Sequence, residues 1–421
     1  MESIEADVAV VGAGITGLAL VHELRRREVD AVAFDSSDLP GGVIRTERVD
    51  GHTLDLGPQR TRLTPGVEQL VDELGIHDEL REARTPQRIY VYADGRRRVV
   101  PLSLRQAVTT DLLTTPAKLR MLLEPLTREP EGDYSVADYL RARFGRQAYE
   151  RYLGPLYGGV YGSDPEKMPH RYSLARALDE HGFGGSLVLG LARRLAAGVD
   201  VPPPVSFDGG MQALPEALHE RHEDSVHLGE SATGVRQTET GYVVETSRRE
   251  TEVERVVSTA PADETAALLE RVDGDSARRL ESLDYNPIAV VHLTSDADLE
   301  GYGHKTALGE SLTTLGVTYN HALFEREGVY TAYLGGAHEP DAVERDDAWL
   351  AEAAEREFEE VTGHDATALH VHRLRMPAYD YSWTALDDLA LPPGFEVRAN
   401  YVSRPGIPGR LADARQAARR T

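Results

Sequence analysis

The residues best suited to chemistry stand at the start of the chain. Gly12-Ala13-Gly14-Ile15-Thr16-Gly17 fits G-x-G-x-x-G. It follows the β-branched run Asp7–Val11 and precedes a helical stretch, residues 18–27. A second short strand, Ala31–Phe34, leads to Asp35, 18 positions after Gly17. That is close to the spacing of about 20 at which an acid meets a ribose hydroxyl. Each part has a mechanical reason. Gly12 permits a tight turn, Gly14 lets backbone approach a pyrophosphate, and Gly17 allows close packing of helix and strand. Ile15 and Thr16 open a helix whose free N–H groups and positive dipole end face the phosphates. Ser36 is taken with Asp35 on the ribose side. The chemistry is dinucleotide binding.

The next glycines decide which dinucleotide. Pro40-Gly41-Gly42-Val43-Ile44-Arg45-Thr46 follows the second strand, and Leu54-Asp55-Leu56-Gly57-Pro58 comes soon after. NAD has no need of a second glycine pair followed by arginine. An extended FAD has: Gly41 and Gly42 let backbone approach, and Arg45 neutralises pyrophosphate. We therefore expect FAD, also contacted near Gly57 and Pro58.

A βαβ unit must carry this loop, and the rest of the chain must complete it. The length of 421 residues allows a large core in two intergrown domains. We expect an α/β fold in which a Rossmann-like FAD domain is interleaved with an α+β substrate domain that includes a helical subdomain. The FAD domain would take residues 1–85, 201–285 and 386–421, the helical substrate subdomain 86–200, and the substrate-domain sheet 286–385. Asp94-Gly95 predicts a hairpin over 88–100, and the region from about 101 to 200 reads as mostly helical. No leader, membrane span, internal repeat or low-complexity linker is evident.

The formal net charge is -24, and only three of 46 basic residues are lysine: Lys118, Lys167 and Lys305. None of the three suggests a role from its position. An acidic, lysine-poor chain reads as a halophile's cytoplasmic protein, soluble where salt screens its self-repulsion. Such a field excludes nucleic acid as a partner. The lack of cysteine excludes disulfides, thiolate catalysis and flavin attachment through sulfur.

Several longer stretches resemble the amine-oxidase-like flavoprotein superfamily, and within it the protoporphyrinogen and coproporphyrinogen oxidases. They are Gly41–Thr46, Leu56–Pro58, Ser135–Tyr139 with Arg143–Gly145, Pro155–Met168 (PLYGGVYGSDPEKM), Phe207–Pro215 (FDGGMQALP), Asn400-Tyr401 and Gly406–Gly409. The resemblance implies a fold of the glutathione-reductase and p-hydroxybenzoate-hydroxylase type, noncovalent FAD, and six-electron oxidation of a porphyrinogen with oxygen as acceptor, in haem synthesis. The protein's share of that chemistry is placement and electrostatics. By position in the family, Gln59 is a substrate contact, and Arg60 and Arg62 could reach a carboxylate. Val235, Ala260 and Pro261 would touch the dinucleotide through main chain, and Gly406, Ile407 and Pro408 form the third FAD segment. Tyr379, Tyr381 and Trp383 could wall the flavin or belong to the core. The chain departs from the pattern at Asp35, where Glu is commoner, and at Ser403-Arg404-Pro405, where glycines are favoured. Alternatives are an amine oxidase, a carotenoid-type desaturase, or a flavin carrier without catalysis.

Residues 86–130 hold eight basic side chains and four acids with many leucines between them. That segment reads either as a surface resting on anionic lipid or as an amphipathic layer around a substrate pocket. The chain would be a monomer or a homodimer.

Overall fold

The computed structural model describes residues 2–84, 88–101, 104–180, 182–183, 185–198, 201–403 and 405–420. Strand Glu2–Val11 lies in the middle of the first sheet, paired in parallel with Ala31–Phe34 on one side and Arg249–Ser258 on the other. Its Val8, Ala9 and Val10 are buried, as expected of a strand covered on both faces. Val226–His227 extends the sheet in parallel beyond Ala31–Phe34. An antiparallel meander, Ala232–Gln237 and Tyr242–Thr246, extends it beyond Arg249–Ser258, and Phe395–Val397 joins from near the C-terminus. The chain thus leaves this sheet after its second strand and comes back to it twice.

The second sheet has seven strands in the order Thr367–Pro377, Tyr285–Thr294, Val329–Gly335, Thr314–Thr318, Gly303–Thr306, Ile89–Ala93, Arg96–Val99. The last two form the predicted hairpin, with Asp94 and Gly95 both at positive φ. Helix Asp347–Thr362 covers the sheet, burying Leu350, Ala353, Ala354 and Phe358.

Between Leu104 and Ala196 the named elements among the described residues are all helices, joined by loops. Helix Val136–Phe144 starts at a capping box: Ser135 accepts from the Asp138 N–H, and the Asp138 side chain accepts from the Ser135 N–H. A buried ion pair, Glu124 with Arg143, ties this layer together, and Ser186 also donates to Glu124. A π-helical turn at Tyr149–Leu153 leads into helix Gly154–Tyr161. No described helix is long and apolar enough to cross a membrane.

Candidate active site

The glycine loop sits at the carboxyl end of the central strand, where neighbouring strands lead the chain to opposite sides. Ligands bind at this switch point in open α/β sheets. Gly12 has φ +103°, and a Cβ there would lie 2.7 Å from the Thr259 hydroxyl. A Cβ on Gly17 would come within 1.9 Å of the Gly12 carbonyl oxygen. The close packing at Gly17 is therefore chiefly against the loop itself. Gly14 differs: a Cβ there would meet nothing within 4 Å. Gly14 also caps helix Ile15–Arg25, which has no side-chain cap and no acid in its first turn. Its orphan N–H groups face open space, which suits a pyrophosphate.

The second glycine turn lies against the first. Gly14 and Gly41 form an isolated parallel bridge, the Gly41 N–H donates to the Ala13 carbonyl at 2.8 Å, and a Cβ on Gly42 would be 3.3 Å from the Gly14 Cα. Arg45 donates to the Ser37 hydroxyl at 2.5 Å and, among the described residues, pairs with no carboxylate. In a chain with 70 acids, an arginine left without one beside an open helix N-terminus is well suited to an anion. Asp35 accepts from the Ala13 N–H at 2.6 Å and from the Ser37 N–H at 2.8 Å. It links the two turns and keeps lone pairs for a ribose. Ser36 is exposed; its neighbour Ser37 makes these contacts.

The third FAD segment expected from the sequence lies near the C-terminus. Gly406, at φ +81°, caps helix Ile407–Ala418 without a side-chain cap, and Pro408 lies in the first turn. This helix packs along Ile15–Arg25, where Arg415 reaches Glu23 at 2.9 Å. Pro261 caps helix Ala262–Leu269, the Ala260 carbonyl accepts from the Tyr401 hydroxyl, and Val235 is buried in the meander. Thr259 donates to the Val11 and Gly12 carbonyls, which holds this segment against the glycine loop. Arg404 lies outside the described residues.

Gly57 is required by packing, since a Cβ there would sit 1.9 Å from the Val43 carbonyl oxygen. Pro58 follows it, and then Gln59, which is buried. Gln59 donates to the Gly57 and Asp55 carbonyls and accepts from Asn320 at 2.7 Å and Thr331 at 3.2 Å. Both ends of its amide are thus engaged by protein, and its observed work is to tie the Gly-Pro turn to the second sheet. Beneath it Asp55 is buried. Asp55 accepts from Arg326 at 3.1 Å, from Thr46 and from the Met211 N–H, and burial pushes its carboxyl up against these partners. Arg62 is exposed and donates to the Pro202 carbonyl.

The next residue along from Gln59 is more telling. Arg60 is half-buried with its guanidinium 4.7 Å from the Tyr302 ring centroid, and desolvation lowers its pKa. Lys305 shares this space. Its ammonium is 5.8 Å from the Tyr333 ring centroid and 3.4 Å from the Gly159 carbonyl. Burial, then the nearby Arg60 charge, lowers its pKa to about 8. Neither cation has a carboxylate partner among the described residues. A Cβ on Gly159 would stand 3.0 Å from the Lys305 nitrogen, so the second glycine of the GGVYG stretch makes room for this side chain. The sequence gives Lys305 no role; the fold places it beside Arg60, half-buried.

A row of packed aromatic side chains starts in the helix that carries Gly159, and its Tyr379 and Trp383 are buried in the core. Tyr157, Tyr161, Tyr379 and Trp383 follow one another at centroid distances of 5.0, 4.9 and 4.5 Å. Tyr379 has φ +50° and its hydroxyl donates to the Asn400 carbonyl at 3.0 Å. A bulky residue at positive φ is strained, and such strain persists where surrounding structure enforces it, often at ligand sites. Tyr381, by contrast, is exposed.

Comparison with known proteins settles the family. The profile of the flavin containing amine oxidoreductases matches residues 15–420. The chain belongs to that family. It is a flavin-dependent oxidoreductase whose cofactor is FAD, and the open helix N-terminus, paired glycine turns and free Arg45 fit that cofactor. Chloroplastic protoporphyrinogen oxidase 1 of Spinacia oleracea is 25% identical over 397 residues, covering 84% of this chain and 71% of that protein. Coproporphyrinogen III oxidase of Mycobacterium leprae is 29% identical over 340 residues, covering 76% and 74%. A crystal structure from Exiguobacterium, provisionally described as a protoporphyrinogen oxidase, superposes with a TM-score of 0.81 at 21% identity, covering 100% of this chain and 99% of that one.

Proposed function

We propose that this flavoenzyme oxidises a porphyrinogen, protoporphyrinogen or coproporphyrinogen, to the porphyrin with oxygen as acceptor, in haem synthesis. The observation that carries the reading is the Arg60–Lys305 pair. Two cations held out of water without carboxylates are costly unless a ligand supplies the counter-charge. A porphyrinogen brings propionate carboxylates on a broad apolar macrocycle, and here Arg60 faces the Tyr302 ring and Lys305 the Tyr333 ring. A protonated amine would meet like charges instead, which argues against an amine substrate.

In this reading the chain binds and orients. Arg60 and Lys305 take carboxylates, Tyr161 and Tyr379 flank the macrocycle, and Gly57 and Gln59 fix the turn between substrate and dinucleotide. Gly12–Gly17, Asp35, Ser36, Gly41, Gly42, Arg45, Pro58, Val235, Ala260, Pro261 and Gly406–Pro408 are assigned to FAD. When bound there, FAD supplies a two-electron acceptor that oxygen re-oxidises. No side-chain nucleophile is required. The test is to offer protoporphyrinogen and coproporphyrinogen to the yellow protein and follow porphyrin fluorescence. Turnover of either supports the reading; a flavin-loaded protein inert to both refutes it.

A peripheral lipid contact on the cytoplasmic side belongs to the same proposal. Val108, Leu119, Leu122, Leu123 and Leu126 are exposed beside Lys118 and Arg128, whereas Leu112, Leu113 and Arg98 of the same region are buried. Leu102 lies outside the described residues, as do the side chains of Leu104 and Arg105. The candidate surface is therefore helix Thr115–Leu122 and the turn after it, a smaller patch than the sequence indicated. Flotation with anionic liposomes tests it: the wild type should float at low salt, and a triple Leu119, Leu122, Leu123→Ser variant should not.

A further inference from the structure

At the far end of helix Ile15–Arg25 from the glycine loop lies a second cavity of about 480 Å³, lined by His22, Arg25, Arg26, Glu73, Arg221 and His222. His22, the first residue of this helix to line the cavity, comes eight residues after Gly14, about 12 Å along the helix, so the cavity is no part of the flavin site. Three helices end around it: Ile15–Arg25, Pro65–Leu74 and Ala213–Arg221. We propose that it is a binding site for a small oxyanion-bearing ligand, with His222 as the group that takes up a proton on binding.

The charges are unlike those of the rest of the molecule. Three arginines and two histidines face the cavity against one carboxylate, in a chain of net charge -24. Part of that positive charge is already committed. Arg25 pairs with Asp30, and Arg26 lies 3.0 Å from Glu73. Arg221 has no carboxylate partner among the described residues, and its planar fork can grip an oxyanion through two hydrogen bonds. Compensation of three helix C-terminal dipoles would favour cations here, but it would not require an open volume between them. A volume of this size matches pockets that hold small molecules.

The histidines form an ordered chain. The buried His22 is 3.0 Å from Glu73 through Nε2 and 2.9 Å from His222 Nε2 through Nδ1. While His22 is neutral and Glu73 ionised, His22 Nε2–H donates to Glu73 and its Nδ1 accepts from His222 Nε2–H. That leaves Nδ1 of a neutral His222 as a lone pair, which an oxyanion would repel. Protonation turns the same atom into a donor. His222 is held neutral, near a pKa of about 4, by burial, then by the charge that His22 carries when protonated and by those of Arg221 and Arg25. The groups that face it are His22, Arg25 and Arg26 from the first helix and its end, Glu73 from the second, and Arg221 beside it in the chain. An anion placed among them offsets the arginines and favours the imidazolium, so binding and proton uptake are linked.

The experiment is calorimetric titration of the flavin-loaded protein with pyrophosphate, and separately with citrate, in salt that keeps it folded. Each titration is run at pH 5.5 and pH 8, in two buffers of different ionisation enthalpy. Binding of either probe, tighter at pH 5.5 and with net proton uptake, is the expected result; the stronger probe identifies the ligand as phosphoryl or carboxylate. R221Q should weaken it about ten-fold or more, the loss of a charge-assisted bond. H222Q should remove the proton uptake and the pH dependence while leaving the affinity at pH 8 within about three-fold. Both variants should keep the flavin spectrum, which reports the distant FAD site. Absence of saturable binding by both probes overturns the proposal. So does saturable binding that R221Q leaves unchanged. Porphyrinogen turnover is untouched by either outcome.

Discussion

Replacing Lys305 with methionine should stabilise the protein while weakening its grip on an anionic substrate. Methionine keeps the length and apolar stem of lysine and removes its charge. The cost of that charge follows from its pKa, lowered from 10.5 to about 8 by burial and by Arg60. At about 1.4 kcal/mol per unit the folded chain carries a penalty of at most about 3.5 kcal/mol. Partial solvent contact reduces it to about 2–3 kcal/mol. The direction with pH is fixed. Below pH 8 the ammonium is charged in folded and unfolded chains alike and the full penalty acts. Between pH 8 and 10.5 the folded chain releases the proton while the unfolded chain retains it, so stability rises with pH. K305M lacks this term. Its stability advantage over wild type should be largest near pH 7 and fall to about 1 kcal/mol near pH 9.5. Urea unfolding of the substrate-free, flavin-loaded proteins at the two pH values, followed by tryptophan fluorescence, measures it. In the same preparations KM for a porphyrinogen should rise about ten-fold or more, the worth of one charge-assisted hydrogen bond. A K305M protein less stable than wild type at pH 7, or one whose gain does not change with pH, would refute the reasoning.

Three other perturbations separate fold from site. G14A places a methyl group in open space at φ -67°, so the chain should fold normally yet bind FAD about ten-fold or more weakly; G17A, whose Cβ meets the Gly12 carbonyl at 1.9 Å, should lose stability as well. Flavin absorbance per protein and the thermal midpoint distinguish the two. R326L leaves the buried Asp55 without its cation and should cost about 3–5 kcal/mol in denaturant unfolding. Finally, with a net charge of -24, the midpoint of thermal unfolding should climb as KCl is raised from low to molar concentration, as screening relieves self-repulsion; a midpoint that falls with salt would remove the halophile reading.

The dinucleotide site could be read from the chain because its parts are backbone devices close together in sequence. Gly12 and Gly17 answer steric demands within the loop and Gly14 leaves the helix start uncovered, and a helix N-terminus follows its strand whatever the rest of the fold does. The hairpin at Asp94-Gly95 is legible for the same reason: turn chemistry is local. The substrate side is assembled otherwise. Lys305 comes from an inner strand of the second sheet, Arg60 from the turn after Gly57-Pro58, Gly159 from the helical layer, and Tyr333 from another strand. No spacing in the sequence announces that these four converge. Gln59 shows the converse. Its position singles it out as a substrate contact, yet the turn above it has main-chain carbonyls to satisfy, and Asn320 and Thr331 from the second sheet take the rest of its amide. A buried polar side chain answers first to the nearest unpaired groups, and those are known only once the second sheet is in place. The charges most informative about the substrate are therefore those the fold leaves unpaired. In a chain so rich in acids, a neighbouring arginine and lysine held out of water, with no carboxylate partner among the described residues, point to an anionic substrate.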